Sequence, residues 1–202
     1  MPEIASRGRP VAESGVAANE RLTSLTGALL LVLLAAIGVT VLSVRQLLPE
    51  HFVIGFILIP PLALKLSTTG YRFVRYYTGD PGYRRAGPPQ LLMRLIAPIV
   101  VASTITLFVT GLELWLFGLR FGSSWIEWHK LSFTVWLAAM GIHVLGHLRQ
   151  TGEVTAGELS VPSGREALSR RSLLVGSVIT GVVLAVATLA YQSPFVFFGD
   201  GG

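Results

Sequence analysis

Five stretches of about 20 or more mostly apolar residues divide this chain. They lie at roughly 22–44, 48–70, 93–118, 124–148 and 172–191. Stretches of that length cover the hydrocarbon core of a bilayer when helical, and a helix satisfies its own backbone hydrogen bonds where no water can. Charged residues make up only 13% of the chain, about half the usual soluble share. The expected fold class is therefore an all-α integral membrane protein with five transmembrane helices. Residues 22–191 form the membrane domain, 1–21 a disordered cytoplasmic arm and 192–202 an outer tail. The first apolar stretch is longer than the core of a signal peptide and lacks a charged start at the very N-terminus, so it is expected to stay as an anchor.

Basic residues give the orientation. The arm, the second connection and the fourth connection, together with Lys65, hold 13 of the 16 lysines and arginines. The positive-inside rule then puts the N-terminus inside and the C-terminus outside, in a multi-pass protein of the plasma membrane. Trp125 and Trp128 fit an outer aromatic belt, and Tyr71, Tyr76, Tyr77 and Tyr83 an inner one. The formal charge of +5 belongs to these flanks. The connection "YRFVRYYTGDPGYRRAGPP" thus suggests anionic lipid, with no nucleic-acid partner. "SRRSLLVG" (Ser169–Gly176) looks like a twin-arginine export signal, or else is a pair of positive-inside arginines. The absence of cysteine excludes disulfides, thiolate metal sites, iron–sulfur clusters and covalently attached haem.

Three of the four histidines fall in "WHKLSFTVWLAAMGIHVLGH". A helix turns about 100° per residue, so His129, His143 and His147 share one stripe of the fourth span. Ionisable groups within a span seldom face lipid, and this stripe should face other helices or a cofactor. His51 begins the second span, which runs in the same direction as the fourth, and so matches His129 in depth. Two neutral imidazoles on facing helices are what a six-coordinate b-type haem needs. Gly55 and Gly111 are small enough to admit a flat macrocycle, although glycine also serves close helix packing. Arg45, Arg120 and Lys130 stand at the same end, for propionates or for lipid headgroups.

The 14-residue spacing of His129 and His143, "PPLALKLSTTGYRFVRYYTGD" and "HKLSF…HVLGH" together resemble membrane b-type cytochromes of the cytochrome b and b561 kind. Residues 25–150 are similar to small actinobacterial haem-type membrane subunits. That resemblance implies a four-helix haem-binding bundle and electron transfer between a quinone pool and an outer-face redox partner, such as an exported molybdopterin oxidoreductase. The chain would then be an electron-transfer subunit of an oxidoreductase complex rather than an enzyme alone. A two-haem member would carry a ligand 14 residues after His51, where this sequence has Lys65. One haem b, held by His51 and His129, is the expectation. A second at His143 is left open. His143 and His147 alternatively contact quinone, relay protons or pack.

Pro60 and Pro61 lie in mid-span and free the carbonyls of Phe56 and Ile57. Glu113 is the one acid within a span. Together with Lys65 these features support a rival class, a small-molecule or ion transporter or channel. A second rival is a cofactor-free membrane anchor or assembly subunit, whose histidines only bond between helices.

Overall fold

The computed structural model describes residues 11–88, 91–160, 165–191 and 193–195. They form six helices: α1 Val11–Val41, α2 Leu48–Tyr77, α3 Pro81–Arg85, α4 Leu91–Phe117, α5 Ser124–Ser160 and α6 Arg165–Thr188. All but the short α3 are long and apolar enough to cross a membrane. In the most apolar window of each, only 11 to 28% is buried inside the protein. Side chains such as Val32, Leu95, Leu145 and Val183 are left facing outward. An apolar surface this extensive needs lipid around it. The chain is a multi-pass membrane protein.

Local chemistry sets the breaks. Pro49 falls in the first turn of α2, where a missing N–H costs nothing. Asp80 caps α3, its Oδ1 accepting from the N–H groups of Gly82 at 2.9 Å and Tyr83 at 3.1 Å. Gly118 and Gly122 turn the α4–α5 connection with φ of +60° and +102°. Helix α2 continues through Pro60 and Pro61.

Two helix boundaries differ from the sequence expectation. Residues 11–21, expected to be part of a disordered arm, are the opening turns of α1. Helix α5 runs on to Ser160, about 12 residues beyond the predicted end of its span. Both extensions carry polar residues that bond each other beyond the apolar region. Arg21 Nη1 donates to Glu158 Oε2 at 3.3 Å, and Gln150 Nε2 donates to Glu20 Oε1 at 2.9 Å. Hydropathy sees the apolar core of a helix and not the polar turns that tertiary partners hold in place.

The helices form two layers. Helices α1, α2 and α6 pack on one another, and α4 pairs with α5. Helix α1 joins the layers by packing on α5, whereas α2 makes no extended backbone contact with either α4 or α5. A slot thus separates α2 from α4 and α5. At the end marked by Trp115, Trp125 and Trp128, Phe56 meets Trp115 across it with ring centroids 4.8 Å apart. The segment after α6 closes the same end. Tyr191 Oη donates to the Leu116 carbonyl at 2.5 Å and Ser193 Oγ to that of Trp115 at 2.7 Å, which occupies acceptors in the last turn of α4.

The arginine pair of "SRRS" is absorbed at the opposite, basic end. Arg170 donates through Nε and Nη2 to Glu158 Oε1 at 3.0 and 2.6 Å, and Arg171 Nη2 donates to the Glu158 carbonyl at 2.8 Å. Glu158 is 1% exposed and Arg170 8%. These arginines therefore tie α6 to α5 within the fold.

Candidate functional site: paired histidines across the slot

His51 stands in the first turn of α2, beside the end of α1. Thr40 Oγ1 lies 2.5 Å from the Ile37 carbonyl and 2.7 Å from His51 Nδ1. A hydroxyl has one proton, and a carbonyl can only accept. With that proton on Ile37, Thr40 Oγ1 must accept from Nδ1–H. The tautomer follows: the proton sits on Nδ1 and the lone pair on Nε2.

His129 repeats this arrangement in the other layer. Thr110 Oγ1 donates to the Thr106 carbonyl at 2.7 Å, leans on that of Leu107 at 3.1 Å, and lies 2.9 Å from His129 Nδ1. The same count of protons leaves the lone pair of His129 on Nε2. A Cβ on Gly111 would come within 3.1 Å of His129 Cε1. Gly111 therefore admits the imidazole ring itself. Gly55 faces α1, where an added Cβ would touch only Ile37 Cδ1 at 3.9 Å.

His51 and His129 are close enough across the slot for their charges to interact. Fourteen residues further along α2 and α5, Lys65 and His143 are again within electrostatic reach of each other. The two helices thus run as ladders in register, with rungs about 21 Å apart. The second rung differs in kind. Lys65 Nζ donates to the Thr23 carbonyl of α1 at 2.8 Å, and Gly27 makes room for it, with an ideal Cβ there 3.0 Å from Nζ. The ammonium is turned toward α1. Among the described residues His143 Nδ1 is buried without a hydrogen-bond partner, and the His143 and His147 ring centroids are 4.9 Å apart. Met93 of α4 lies against Gly146.

The two carboxylate oxygens of Glu113 are buried without hydrogen-bond partners among the described residues. Arg120 lies over the Phe121 ring at 5.7 Å, and Lys130 pairs with Glu127 at 3.7 Å. A cleft of about 540 Å³ opens between α4 and α5 beside Thr110, lined also by Thr106, Ser124, Trp125 and Trp128.

Sequence reasoning placed both histidines of the first rung but missed Thr40 and Thr110. No local signal marks them. Most hydroxyls in these helices bond their own carbonyls, as Thr104 and Thr180 do, and a threonine that also meets a histidine has the same sequence appearance.

Among the described residues, no group of three or more histidines and acids converges as a metal site. What the first rung offers is two nitrogen donors, one from each layer, each oriented by a hydroxyl. Imidazole nitrogens of that kind are the donors that would hold a haem iron. The pair does not fit a bare metal ion, which needs more ligands.

Fold and site together define a five-span helical membrane protein with an inter-layer pair of oriented imidazoles. No family model, curated protein or solved structure matches the chain.

Proposed function

We propose that the chain is a b-type haem membrane subunit that carries electrons between a quinone pool and a redox partner on its outer face. The observation that supports it is the matched pair of Nε2 lone pairs, fixed by Thr40 on one layer and Thr110 on the other. His51 and His129 would hold the iron, and a bound haem would supply a one-electron change. The protein's own part is orientation and exclusion of water. Nδ1–H on each ring is held by a hydroxyl whose proton is already committed, so neither ring turns freely. Phe56 and Trp115 bridge the slot at this end, and Phe195 stands edge-on to Phe52, next to His51, at 6.5 Å.

The basic end, with Arg72, Arg75, Arg84, Arg85 and Arg94, faces the cytoplasm in this reading, so the histidine pair sits toward the outer face of the plasma membrane. An exported oxidoreductase, of molybdopterin type in the implied family, would exchange electrons there. The cleft beside Thr110 opens toward lipid and is where a quinone would approach His129. A single haem is favoured, because Lys65 at the second rung is bonded to α1. The transporter alternative loses one of its supports, since the Ile57 carbonyl freed by Pro61 is covered by Gly181 of α6.

The test is a reduced-minus-oxidised absorption spectrum of the purified protein produced with haem supply, beside His51→Ala and His129→Ala. Sharp α and Soret bands, absent from both variants, are expected. A colourless, correctly inserted wild-type protein would sink the proposal.

A further inference from the structure

Helix α6 belongs to the layer of α1 and α2 and makes no extended backbone contact with α4. The segment that follows it crosses to the other layer and back. The Tyr191 and Trp115 ring centroids are 4.6 Å apart, and the Tyr191 hydroxyl bonds the Leu116 carbonyl. Ser193 is 4% exposed. Its hydroxyl donates to the Trp115 carbonyl and accepts from the Phe195 N–H at 3.3 Å. Pro194 rests on Gly118, where an added Cβ would come within 3.1 Å of the proline Cβ and 3.3 Å of its carbonyl carbon. Phe195 then meets Phe52 of α2, the residue after His51.

Tyr191, Ser193, Pro194 and Phe195 thus form a strap that laces α6, α4 and α2 together across the tryptophan end of the slot. Its attachment to α4 is of a kind that opens locally. The Leu114 and Phe117 carbonyls are taken by the backbone N–H groups of Gly118 and Arg120. Those of Trp115 and Leu116, between them, take hydroxyl protons from the strap. Tyr191 is exposed, so water has access to this end of α4. Helix-end carbonyls accept from water as well as from a hydroxyl, and releasing the strap strands no acceptor. A segment held by side-chain hydroxyls and ring edges opens more readily than the helices it crosses.

Lipid surrounds the sides of the bundle, so a water-borne molecule reaches His51 and His129 from the tryptophan end, past the strap. We propose that Tyr191, Ser193 and Phe195 form a gate over this end of the slot, which opens to admit ligands and water to the histidine pair and then closes. Phe52 and Phe195 are its closing faces. Gly118 is its seat, where a φ of +60° and the space taken by Pro194 both call for a residue without a side chain. Such a gate controls access to the imidazoles whatever ligand they hold, and so stands apart from the haem reading.

The experiment is carbethoxylation of the full chain in lipid nanodiscs by diethyl pyrocarbonate, with the rate at each histidine read by mass spectrometry. Tyr191→Phe with Ser193→Ala removes both hydroxyl donors. It should speed reaction at His51 and His129 at least fivefold and leave His147, at the other end, unchanged. Ser177→Ala, which removes a hydroxyl–carbonyl bond within α6, should change none of the rates. The chain has no cysteine, so Phe52→Cys with Phe195→Cys offers a unique pair for a short reducible bis-thiosulfonate. Bridging that pair should slow both histidines at least threefold, and reduction should restore the rate. If the hydroxyl variant fails to insert, the bridged pair carries the decision. Unchanged rates at His51 and His129 after loss of the hydroxyls, or after bridging, would overturn the gate. So would equal acceleration at His147, which would make the strap a general brace of the bundle.

Discussion

Gly181 of α6 lies flush against the carbonyl oxygen of Ile57 in α2, the acceptor that Pro61 leaves without a helical N–H. The Cα of Ile57 is 3.0 Å and its carbonyl carbon 3.1 Å from where a Cβ on Gly181 would stand. Proline removes a donor on one helix and glycine on the next supplies the close cover, so the α2–α6 contact is a backbone contact. Small residues permit this between membrane helices.

Replacing Gly181 should therefore separate α6 from α2. Gly181→Ala should destabilise the protein by about 1–3 kcal/mol through overpacking, and Gly181→Leu by more. Thermal unfolding in detergent, followed by circular dichroism, measures this. A neutral Gly181→Leu would show that α6 does not seat on α2.

Thr40→Val and Thr110→Val keep the volume nearly unchanged and remove the acceptor for Nδ1–H. On the proposed haem reading, each should weaken haem binding by about 10- to 100-fold, as loss of an orienting outer partner does at metal-ligating histidines. The ¹⁵N spectrum of the haem-free protein provides an independent check. The Nδ1–H tautomer should dominate at His51 and His129 in wild type and lose its dominance at the altered site.

Gly111→Val should act on one histidine only. Its Cβ would meet His129 Cε1 at 3.1 Å and turn the ring away from its Thr110 bond. The expected outcome is a shifted tautomer signal at His129 and, on the proposed haem reading, weakened haem binding, with the His51 signal unchanged. Movement of both signals together would mean that the layers are coupled more tightly than the slot allows.

At the basic end, Glu158→Ala should cost about 3–5 kcal/mol, because it strands the buried Arg170. Arg170→Met with Glu158→Met should recover most of that loss, since breaking a buried pair costs more than replacing it with apolar groups. A double variant as unstable as the single one would assign the loss to packing. Unfolding midpoints of all three proteins decide between these outcomes.

The Asp80 cap gives a pH dependence outside the membrane. The Tyr83 backbone N–H holds its carboxyl below the ordinary value of 3.8, helped by the Arg75 charge and the Gly82 N–H and opposed by desolvation. A carboxyl depressed in the folded state contributes stability above its ordinary value and loses it as pH falls through the lowered one. The α2–α3 turn should hold at pH 5 and loosen below pH about 4. Amide exchange at Gly82 and Tyr83 reports it, and Asp80→Asn should flatten the response.

What was legible in the sequence is what repeats along one dimension. Apolar length placed the five long helices, because hydrocarbon thickness fixes the number of residues that must be apolar. The 100° turn per residue placed His129, His143 and His147 on one stripe. The structure turns both ends of that stripe toward α2, to His51 and to Lys65. Equal spacing on two parallel helices also set Lys65 opposite His143.

Only the tertiary structure decided what each of those side chains does. Which threonine meets which histidine, which way the Lys65 ammonium turns, and how Glu158 takes up Arg170 all depend on the rotation and offset of one helix against another. Side-chain contacts across the bundle fix those quantities, and no local propensity encodes them. Residues 11–21 and the end of α5 became helix for the same reason, since polar turns outside the apolar core are stabilised by partners that lie far away in the chain. The sequence by itself determined that this chain spans a membrane and carries a line of histidines. The packing of α1 on α2 and of α4 on α5 decided that two of those histidines present oriented lone pairs, while the rest lie beside a lysine turned to another helix.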